Sequence, residues 1–455
     1  MNKRTGLRLL LFLWSFNFLL PLHAQQLEIS TFSVDVSPNL GTPVAYAPAR
    51  SIQDPLSARG VVIYGPESPI VLCAVDYLGI ANEGLEAWRS QLASAAETSI
   101  ERVWVSALHQ HDGMRCDLTT EKIMQQYGLG GTRFDVTYIE KSIRKTARAV
   151  KKARRKKHMV SYIGFGQAKV DSVASNRRIL GDADTVQIIR WSRTSDSAAI
   201  AAPEGLIDPF LKSITFWDGD QPIAVMTYYA THPQSYYGMG DVTCEFVGIA
   251  RNQREAELGI PHIHFNGCSG NITAGKYNTG AVENRPVLTR RIYQGMQKAW
   301  ENSTKAPIQP ADLSWYSTPV TLPLGRHLVE EDLRAQMKND TLSRINKLTA
   351  AKHLAWLQRT ESGYQIDISA LKLGNTWMLN LPGELFIEYQ LAAQKLKPEN
   401  NICVAAYGEY GPGYIGTKIA YSQGGYETSE RASRVSEDAE RVLMEAIREV
   451  LQISE

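Results

Sequence analysis

The chain has 455 residues, of which 44% are hydrophobic and 21% charged, and its formal net charge is +2 at pH 7. A chain of this size and composition can bury a large core, either as one big domain or as one domain with embellishments. The near-neutral charge gives no reason to expect a nucleic-acid partner.

The N-terminus has the pattern of a secretory signal peptide. A basic start precedes an apolar stretch at residues 9–22, and Leu22-His23-Ala24 resembles a small-residue cleavage site. We therefore expect residues 1–24 to be a signal peptide and the mature protein to be secreted or periplasmic. An uncleaved anchor is the alternative, but the apolar stretch is short for a membrane span. No later segment is apolar enough to span a membrane.

The cysteines indicate neither a metal cluster nor a dense disulfide framework. They are five in number, far apart and without a CxxC pair: Cys73, Cys116, Cys244, Cys268 and Cys403. One or two bridges remain possible, and a bridge between Cys116 and Cys244 is the best guess, because both are expected in loops near motifs.

The first part of the mature chain predicts strands around one helix. Residues 29–36 alternate between apolar and polar side chains and predict a strand. Residues 56–64 and 70–77 predict two strands joined as a hairpin. Residues 81–98 predict a helix, and the uncharged apolar run at residues 103–108 predicts a buried strand.

Two histidines follow this buried strand, in the sequence His109-Gln110-His111. Residues two apart on a strand point to the same face, about 7 Å apart, so both imidazoles can reach one pocket. Such a pair suits a metal ligand beside a proton-transfer group. The alternative is one structural histidine and one surface histidine.

The next segment is expected to be a long loop followed by a basic helix. Residues 112–134 contain several glycines, and a loop of this length after a candidate site is typical of a pocket wall or lid. Residues 136–157 predict a helix whose part from 144 to 157 is rich in Lys and Arg. This basic helix 144–157 could make peripheral contact with an anionic membrane, but a solvated helix face is the favoured interpretation.

Strands and helices alternate through the rest of the chain, with hairpins between them. Strands are expected at residues 161–166, 185–191, 213–217, 222–229, 262–265, 313–322, 369–373, 376–381 and 402–407, and helices at residues 245–258, 286–303, 330–357, 385–396 and 433–451. The pattern predicts an α/β fold with mixed β-sheets flanked by helices, without a simple doubly wound order. We see no internal repeat and no clean domain boundary.

Several predicted strands end in a polar group that is useful for catalysis. The groups concerned are His109, His111, His232, the loop 271–273 and Glu384. Strand ends can converge at one rim of a sheet, so a shared site is plausible. His262 and His264 alternate on a short strand, where core or edge roles are favoured. Glu384 follows Pro-Gly at a strand-to-helix junction, where a carboxylate can cap the helix or bind a metal.

In this order, the motifs resemble those of the neutral/alkaline (non-lysosomal) ceramidase family, catalytic domain. The matching segments are Val34-Asp35-Val36-Ser37-Pro38, residues 54–59, His109-Gln110-His111-Asp112-Gly113 for the family's HTHSG, His232-Pro233, Pro382-Gly383-Glu384 for PGE, and Gly413-Tyr414 with Tyr426-Glu427 for GYVTT…YEG. The resemblance implies a single large catalytic domain at residues 25–455. The β-sandwich domain that follows in full-length ceramidases is expected to be lacking, since the chain ends soon after Tyr426.

The resemblance also implies a set of site residues. One Zn²⁺ would be held by His109, His232, Glu384 and Tyr414. His111 would be the acid/base group, and Tyr426 would hydrogen-bond the carbonyl oxygen of the scissile amide. The resemblance implies two further site residues. Arg177 could contact the substrate or the developing oxyanion. Thr273 stands where the family has a serine, and it keeps a hydroxyl group.

The implied activity is that of a secreted zinc-dependent amidohydrolase that cleaves ceramide, or a related N-acyl lipid, to a sphingoid base and a fatty acid. Zinc can activate water and polarise the carbonyl, so the chemistry agrees with the residue types. Two alternatives stay open. One is a deacylase or esterase acting on an acylated sugar or other small metabolite, and the other is a catalytically degenerate binding protein, for which Thr273 is the only support.

Overall fold

The strands and helices of the chain were obtained from a computed structural model that describes residues 26–453. The predicted signal peptide at residues 1–24 lies outside the described residues. The first twelve strands are β1 (Glu28–Asp35), β2 (Ser51–Ile52), β3 (Ser57–Tyr64), β4 (Ile70–Val75), β5 (Gly79–Ala81), β6 (Val103–Ala107), β7 (Arg115–Asp117), β8 (His158–Met159), β9 (Tyr162–Lys169), β10 (Ser175–Asn176), β11 (Arg178–Leu180) and β12 (Val186–Ile189).

The later strands are β13 (Phe210–Asp218), β14 (Gln221–Tyr229), β15 (Asp241–Val242), β16 (His262–Asn266), β17 (Ile272–Thr273), β18 (Thr304–Pro307), β19 (Leu313–Val320), β20 (Ile366–Leu373), β21 (Thr376–Asn380), β22 (Glu384–Leu385), β23 (Asn401–Ala405) and β24 (Tyr414–Ile415). The helices are α1 (Glu83–Ala96), α2 (Leu118–Gln126), α3 (Val136–Ala153), α4 (Ser197–Ala201), α5 (Glu245–Leu258), α6 (Asn284–Glu301), α7 (Glu330–Lys338), α8 (Arg344–Glu361), α9 (Ile387–Leu396), α10 (Lys418–Gln423) and α11 (Ala439–Val450).

Three sheets form the framework. Their strand orders are β6-β4-β3-β1-β8, β16-β14-β13-β9-β18 and β19-β20-β21-β23. Most neighbours are antiparallel, but the strand at one edge of each sheet is parallel to its partner: β6 to β4, β16 to β14 and β23 to β21. This is the mixed α/β fold that the sequence predicts, and the hairpin of β20 and β21 across Gly374-Asn375 is also as expected.

The three sheets share one core, which aromatic residues mark. Trp104 of β6 packs edge-on against Phe265 of β16, with ring centroids 5.7 Å apart, and lies 6.2 Å from Trp315 of β19. Each of these residues comes from a different sheet. Aromatic contacts of this kind contribute roughly 0.5–1.5 kcal/mol beyond the burial of area, so Trp104 helps to fix the three sheets against one another.

The ends of four strands are joined on one side of this core. The Asn266 side chain, at the end of β16, donates to the Leu108 carbonyl at 3.3 Å and accepts from the Thr231 amide at 3.3 Å. The Asn266 carbonyl accepts from the Ala406 amide at 2.9 Å. Segments that follow β6, β14 and β23 therefore meet around one residue, and this junction carries the candidate site.

Two expectations from the sequence are wrong. Residues 112–134 are not a continuous loop, because they contain β7 and α2. The Asp117 side chain accepts the Thr120 amide and so caps α2, which is a short helix with a weak apolar pattern. The second correction is the Cys116–Cys244 bridge: both cysteines are buried free thiols, as are the other three. Burial raises the pKa of Cys244 to about 12.

The basic helix packs on the core by its apolar face. Ile139, Ile143 and Val150 of α3 are buried, while Arg154 and Lys157 beyond its end form ion pairs with glutamates. These pairs suit a solvated face, and membrane contact through residues 144–157 stays a prediction. None of the helices within residues 26–453 is long and apolar enough to cross a membrane.

Candidate metal centre

A turn of the backbone, and not the alternation of side chains along a strand, brings the His109 side chain to the site. Strand β6 ends at Ala107, and His109 has φ +69, in the left-handed region. The rings of His109 and His111 are therefore only 4.9 Å apart and nearly perpendicular. The two histidines do meet, as the sequence predicts, but they lie beyond the end of the strand, so they do not meet as alternate residues of one strand.

The two histidines that follow strands β6 and β14 are oriented in the same manner. His109 Nδ1 lies 2.7 Å from the Leu78 carbonyl, and His232 Nδ1 lies 3.1 Å from the Ser269 carbonyl. Since a carbonyl can only accept, each Nδ1 carries a proton, and in the neutral imidazole each Nε2 then presents a lone pair. The two Nε2 atoms face each other at 3.0 Å.

Glu384 brings a carboxylate to the same place. Its Oε2 lies 3.2 Å from His109 Nε2 and 3.7 Å from His232 Nε2, and it is a buried atom without a hydrogen-bond partner. Its other oxygen, Oε1, accepts a hydrogen bond from the Tyr410 hydroxyl at 2.5 Å. One carboxylate oxygen is thus held in place while the other is left free to bind a ligand.

The two motifs that contain Glu384 and Tyr414 meet through a short parallel pairing. Strand β22 pairs with β24 so that Glu384 lies opposite Tyr414. Gly383 precedes the pairing at φ +59, and a Cβ there would lie 2.6 Å from the Gly413 carbonyl oxygen. Only glycine fits such a position without displacement, which accounts for the glycine in the Pro-Gly-Glu motif.

His111 also faces this point. Its Nε2 is 3.3 Å from His109 Nε2, and its Nδ1 is 2.6 Å from the Tyr46 hydroxyl. The ligand atoms of His109, His111 and His232 all lie within 4.8 Å of one another. The cluster therefore holds one more imidazole than the predicted ligand set, which assigned His111 to proton transfer.

The residues present fit a divalent metal ion. Nitrogen and carboxylate oxygen donors with an outer shell that fixes their orientation are the usual surroundings of zinc. Burial, then the nearby His109 and Arg177, lower the pKa of His232 to about 3. Burial acts to raise the pKa of Glu384, but His109, His232 and the Tyr410 hydroxyl bring it down to about 2. A neutral imidazole beside an ionised carboxylate is the protonation state that metal binding requires.

Tyr414 and Tyr426 line the cavity beside the cluster. The guanidinium carbon of Arg177 lies 5.8 Å from the centroid of each of the two rings. Arg177 Nη1 donates to the Tyr414 hydroxyl at 3.0 Å, and its Nε lies 3.1 Å from a Glu427 carboxylate oxygen. The rings of Tyr414 and Tyr426 are 5.7 Å apart. Direct contact of Arg177 with a substrate stays a prediction, whereas its contact with Tyr414 holds that hydroxyl in position.

Thr273 is buried in β17, and its contacts are local. Its hydroxyl accepts the Gly275 amide at 3.1 Å, and its carbonyl accepts the Ser175 hydroxyl at 3.0 Å. Strand β17 pairs with β10, which contains Asn176. Thr273 thus supports the segment that leads into Arg177, and its predicted catalytic role stays a prediction.

Three tyrosines around the cluster were missed by the sequence reasoning. Tyr410 holds Glu384, and Tyr46 contacts His111. Tyr407 stacks on His109 with ring centroids 4.3 Å apart, and its hydroxyl is 2.6 Å from Ser269 Oγ. The only available signal was that Tyr407 is the last residue of the strand predicted at residues 402–407 and that Tyr410 lies three residues beyond it.

A cavity of about 200 Å³ opens next to the cluster. Tyr46, His111 and Glu384 line it at the metal-binding end, and residues of helix α8 line the opposite wall. The predicted pocket-wall role of residues 112–134 applies to Arg115, which lies on this cavity. A substrate in the cavity would therefore contact both the cluster and helix α8.

Comparison with known proteins shows which fold this is. No protein-family model and no curated protein sequence matches the chain. Among solved structures, neutral ceramidase from Pseudomonas aeruginosa is similar with a TM-score of 0.68 at 14% identity, over 94% of this chain and 74% of that chain. A ceramidase complexed with C2 is similar to the same degree, over 94% of this chain and 75% of that chain. The chain therefore has the neutral ceramidase fold, which confirms the fold expected from its motifs.

Proposed function

We propose that this protein is a secreted, zinc-dependent hydrolase that cleaves an N-acyl amide bond. The observation that carries the proposal is the convergence of three imidazoles and one unpartnered carboxylate oxygen, all buried or half-buried, beside an open cavity. The ligands would be His109, His232, Glu384 and Tyr414. The similarity to solved ceramidases supports an N-acyl lipid such as ceramide as the first substrate to test.

The protein's own side chains supply the groups that amide hydrolysis needs. A bound zinc ion would lower the pKa of water and polarise the amide carbonyl. When His111 Nδ1 donates to the Tyr46 oxygen, His111 Nε2 is free to accept a proton and later to return it to the leaving nitrogen. The Tyr426 hydroxyl would donate a hydrogen bond to the carbonyl oxygen as its negative charge develops.

The environment of these groups favours the reaction. Glu384 and His232 are almost fully buried, and burial strengthens electrostatic interactions with a reacting amide. Arg177, held by Glu427, fixes the Tyr414 hydroxyl through a hydrogen bond. Residues positioned before the substrate arrives do not have to reorganise during the reaction.

A second candidate is removal of an acyl group from a small polar metabolite, such as an acylated sugar. The observation that favours it is the lining of the cavity, which is rich in tyrosine and charged side chains rather than in long apolar ones. Both candidates use the same metal site and differ in the substrate alone.

The test is to measure the metal content of the purified protein together with fatty acid release from a fluorescent short-chain ceramide and from an N-acyl sugar. About one zinc per chain with ceramide turnover supports the main proposal. One zinc with turnover of the sugar alone supports the second candidate. A protein that neither binds metal nor hydrolyses either compound overturns both and favours a binding protein.

A further inference from the structure

The cavity beside the metal cluster has an unusual concentration of positive charge. Four cationic side chains line it, against a single carboxylate, Glu384, which belongs to the metal cluster. The four are Arg115, Lys352, Arg431 and Arg434. They come from three separate parts of the chain, namely β7, helix α8 and the segment 431–434, which the fold brings together.

Of the four cavity cations, Arg434 is buried, Arg115 and Lys352 are half-buried and Arg431 is exposed. They lack the carboxylate partners that several other cations of the interior have. Arg251 pairs with Asp76, and Arg285 pairs with Glu245. In contrast, no ion pair within residues 26–453 involves any of the four cavity cations. Arg190 is also buried without an ion pair, but four backbone carbonyls accept its N–H groups. Burial of a charge costs free energy unless the charge is paired or hydrogen-bonded, so a bound anion would supply the partner that the cavity cations lack.

The hydrogen bonds of the cavity cations are also incomplete. Arg434 is buried and donates to the Gly411 carbonyl at 2.9 Å, but its Nε has no partner. The Nε of Arg115 is likewise buried without a partner. No hydrogen bond of the Lys352 ammonium is found among the described residues. The Lys352 ammonium is therefore free to bind a ligand in the cavity.

Helix α8 directs Lys352 to the cavity. Ile345, Leu348, Thr349 and Lys352 line it, at the spacing of one helix face. Arg115, Lys352 and Arg434 also line a small recess that continues from the cavity past Leu78 and Tyr410. The three cations thus lie where the recess joins the cavity, and Arg431 is exposed at the rim.

Electrostatic interaction among these side chains agrees with their proximity. Burial lowers the pKa of Lys352 well below its ordinary value, Arg115 and Arg434 lower it further, and Asp117 of the recess and Glu384 act to raise it. Arg115 and Arg434 therefore lie close enough to Lys352 to repel its positive charge. A bound anion would relieve this repulsion and would make charge-assisted hydrogen bonds to the guanidinium groups.

We propose that Arg115, Lys352 and Arg434 bind an oxyanion on the substrate, a carboxylate, sulfonate or phosphate, so that the enzyme selects acidic N-acyl compounds over neutral ones. The proposal rests on the proposed hydrolase function and names the substrate class for it. Such an oxyanion is found both in N-acyl amino acids and in lipids with an acidic head group. The experiment below distinguishes these two classes of substrate.

The experiment compares matched pairs of acidic and neutral compounds. One pair is N-octanoylglutamate and its diamide, and the other is short-chain ceramide 1-phosphate and the corresponding ceramide. We expect the acidic member of at least one pair to have a kcat/KM at least about tenfold higher, because charge-assisted hydrogen bonds are the strong ones. The pair with the larger preference identifies the source. Equal rates for both members of both pairs would overturn the inference.

Variants link this preference to the cavity. Lys352→Met and Arg115→Gln should each reduce the acidic-over-neutral ratio about tenfold, whereas Lys338→Met, an exposed lysine on α7, should leave it unchanged. Arg431→Gln at the exposed rim gives a second test in case a buried substitution prevents folding. If none of the three cavity variants changes the ratio, the cavity cations do not select the substrate.

Two measurements keep this inference separate from the proposed function. Calorimetric titration of metal-free protein with N-octanoylglutamate and with ceramide 1-phosphate should show binding that Lys352→Met weakens. Such binding without any hydrolysis would support the anion site while contradicting the hydrolase. Thermal unfolding of the free protein should show a higher Tm for Lys352→Met than for the wild type, because the variant removes an unpaired cation. A lower Tm would instead indicate that Lys352 has a structural role.

Discussion

The Nε2 atoms of His109 and His232 lie 3.0 Å apart, and in the neutral imidazoles neither has a proton to donate to the other. Main-chain carbonyls fix this arrangement by accepting the proton on each Nδ1. The free Oε2 of Glu384 lies 3.2 Å from His109 Nε2. The two nitrogen lone pairs and this carboxylate oxygen repel one another unless a cation lies near all three atoms. The arrangement could therefore hold a metal ion, and it depends on the backbone as much as on the side chains.

Substitution of His232 by alanine should abolish stoichiometric metal binding. The imidazole supplies one of the converging lone pairs, and its loss leaves too few donors for a tetrahedral site. We expect about one zinc per chain in the wild type and less than about a tenth of that in His232→Ala after dialysis, measured by elemental analysis. His158→Ala, at an exposed histidine, is the control. An equal zinc content in His232→Ala and the wild type would contradict the assignment.

Tyr410→Phe should weaken metal binding without removing a ligand. The Tyr410 hydroxyl is the hydrogen-bond donor to Glu384 Oε1, and loss of such an outer contact typically reduces metal affinity or activity about 10–100-fold. Competition with a zinc chelator would measure the change. Tyr421→Phe, which removes a hydroxyl bound to Ser433 instead, should leave the affinity unchanged. If the two variants behave alike, Tyr410 does not position the carboxylate.

The elements predicted best from the sequence are long and strongly patterned. Helix α5 has the predicted bounds, and the buried strand before His109 differs by one residue. The local composition and the spacing of apolar residues along the sequence determine such elements. Helix α2 was missed because it has nine residues and a weak apolar face, and its start depends on the Asp117 cap.

The sequence pointed to side chains that lie close together in the structure, but not to the geometry in which they meet. His109 was assigned from its place after a strand, yet its orientation depends on φ +69 and on the Leu78 carbonyl, 31 positions away. The cavity cations left no local signal, because Arg115, Lys352 and Arg434 meet only after the sheets and helix α8 have packed. A pattern in the sequence can identify a residue type at a strand end, but it cannot show which distant groups face it.

Gly383→Ala should destabilise the protein and disturb the metal site together. The alanine backbone would have to adopt φ +59, which costs roughly 1–2 kcal/mol. Its Cβ would also lie 2.6 Å from the Gly413 carbonyl oxygen. Gly374→Ala is a matched control, because it has φ +58 but no atom within 4 Å of the new Cβ. Urea unfolding should show the larger loss for Gly383→Ala, with zinc lost in that variant alone. Equal losses in stability would mean that the close approach is relieved by small shifts.

Asp76→Asn should be strongly destabilising and should flatten the acid side of the stability profile. Asp76 is fully buried and binds Arg251 through both carboxylate oxygens, at 2.7 and 2.9 Å. Removal of one partner from a buried ion pair costs about 3–5 kcal/mol.

The pH dependence follows from the direction of the pKa shift. Burial acts to raise the pKa of Asp76, but Arg251, then Arg59 and Ser57, bring it below its ordinary value. The folded state thus binds the proton more weakly than the unfolded state, in which an aspartate has a pKa of about 3.9. The stabilisation is present above that pH and is lost as the pH falls through the lower pKa of the folded state. Urea unfolding between pH 7 and pH 3 should therefore show a steeper loss below about pH 4 in the wild type than in Asp76→Asn. Parallel profiles would mean that Asp76 is not held ionised by Arg251.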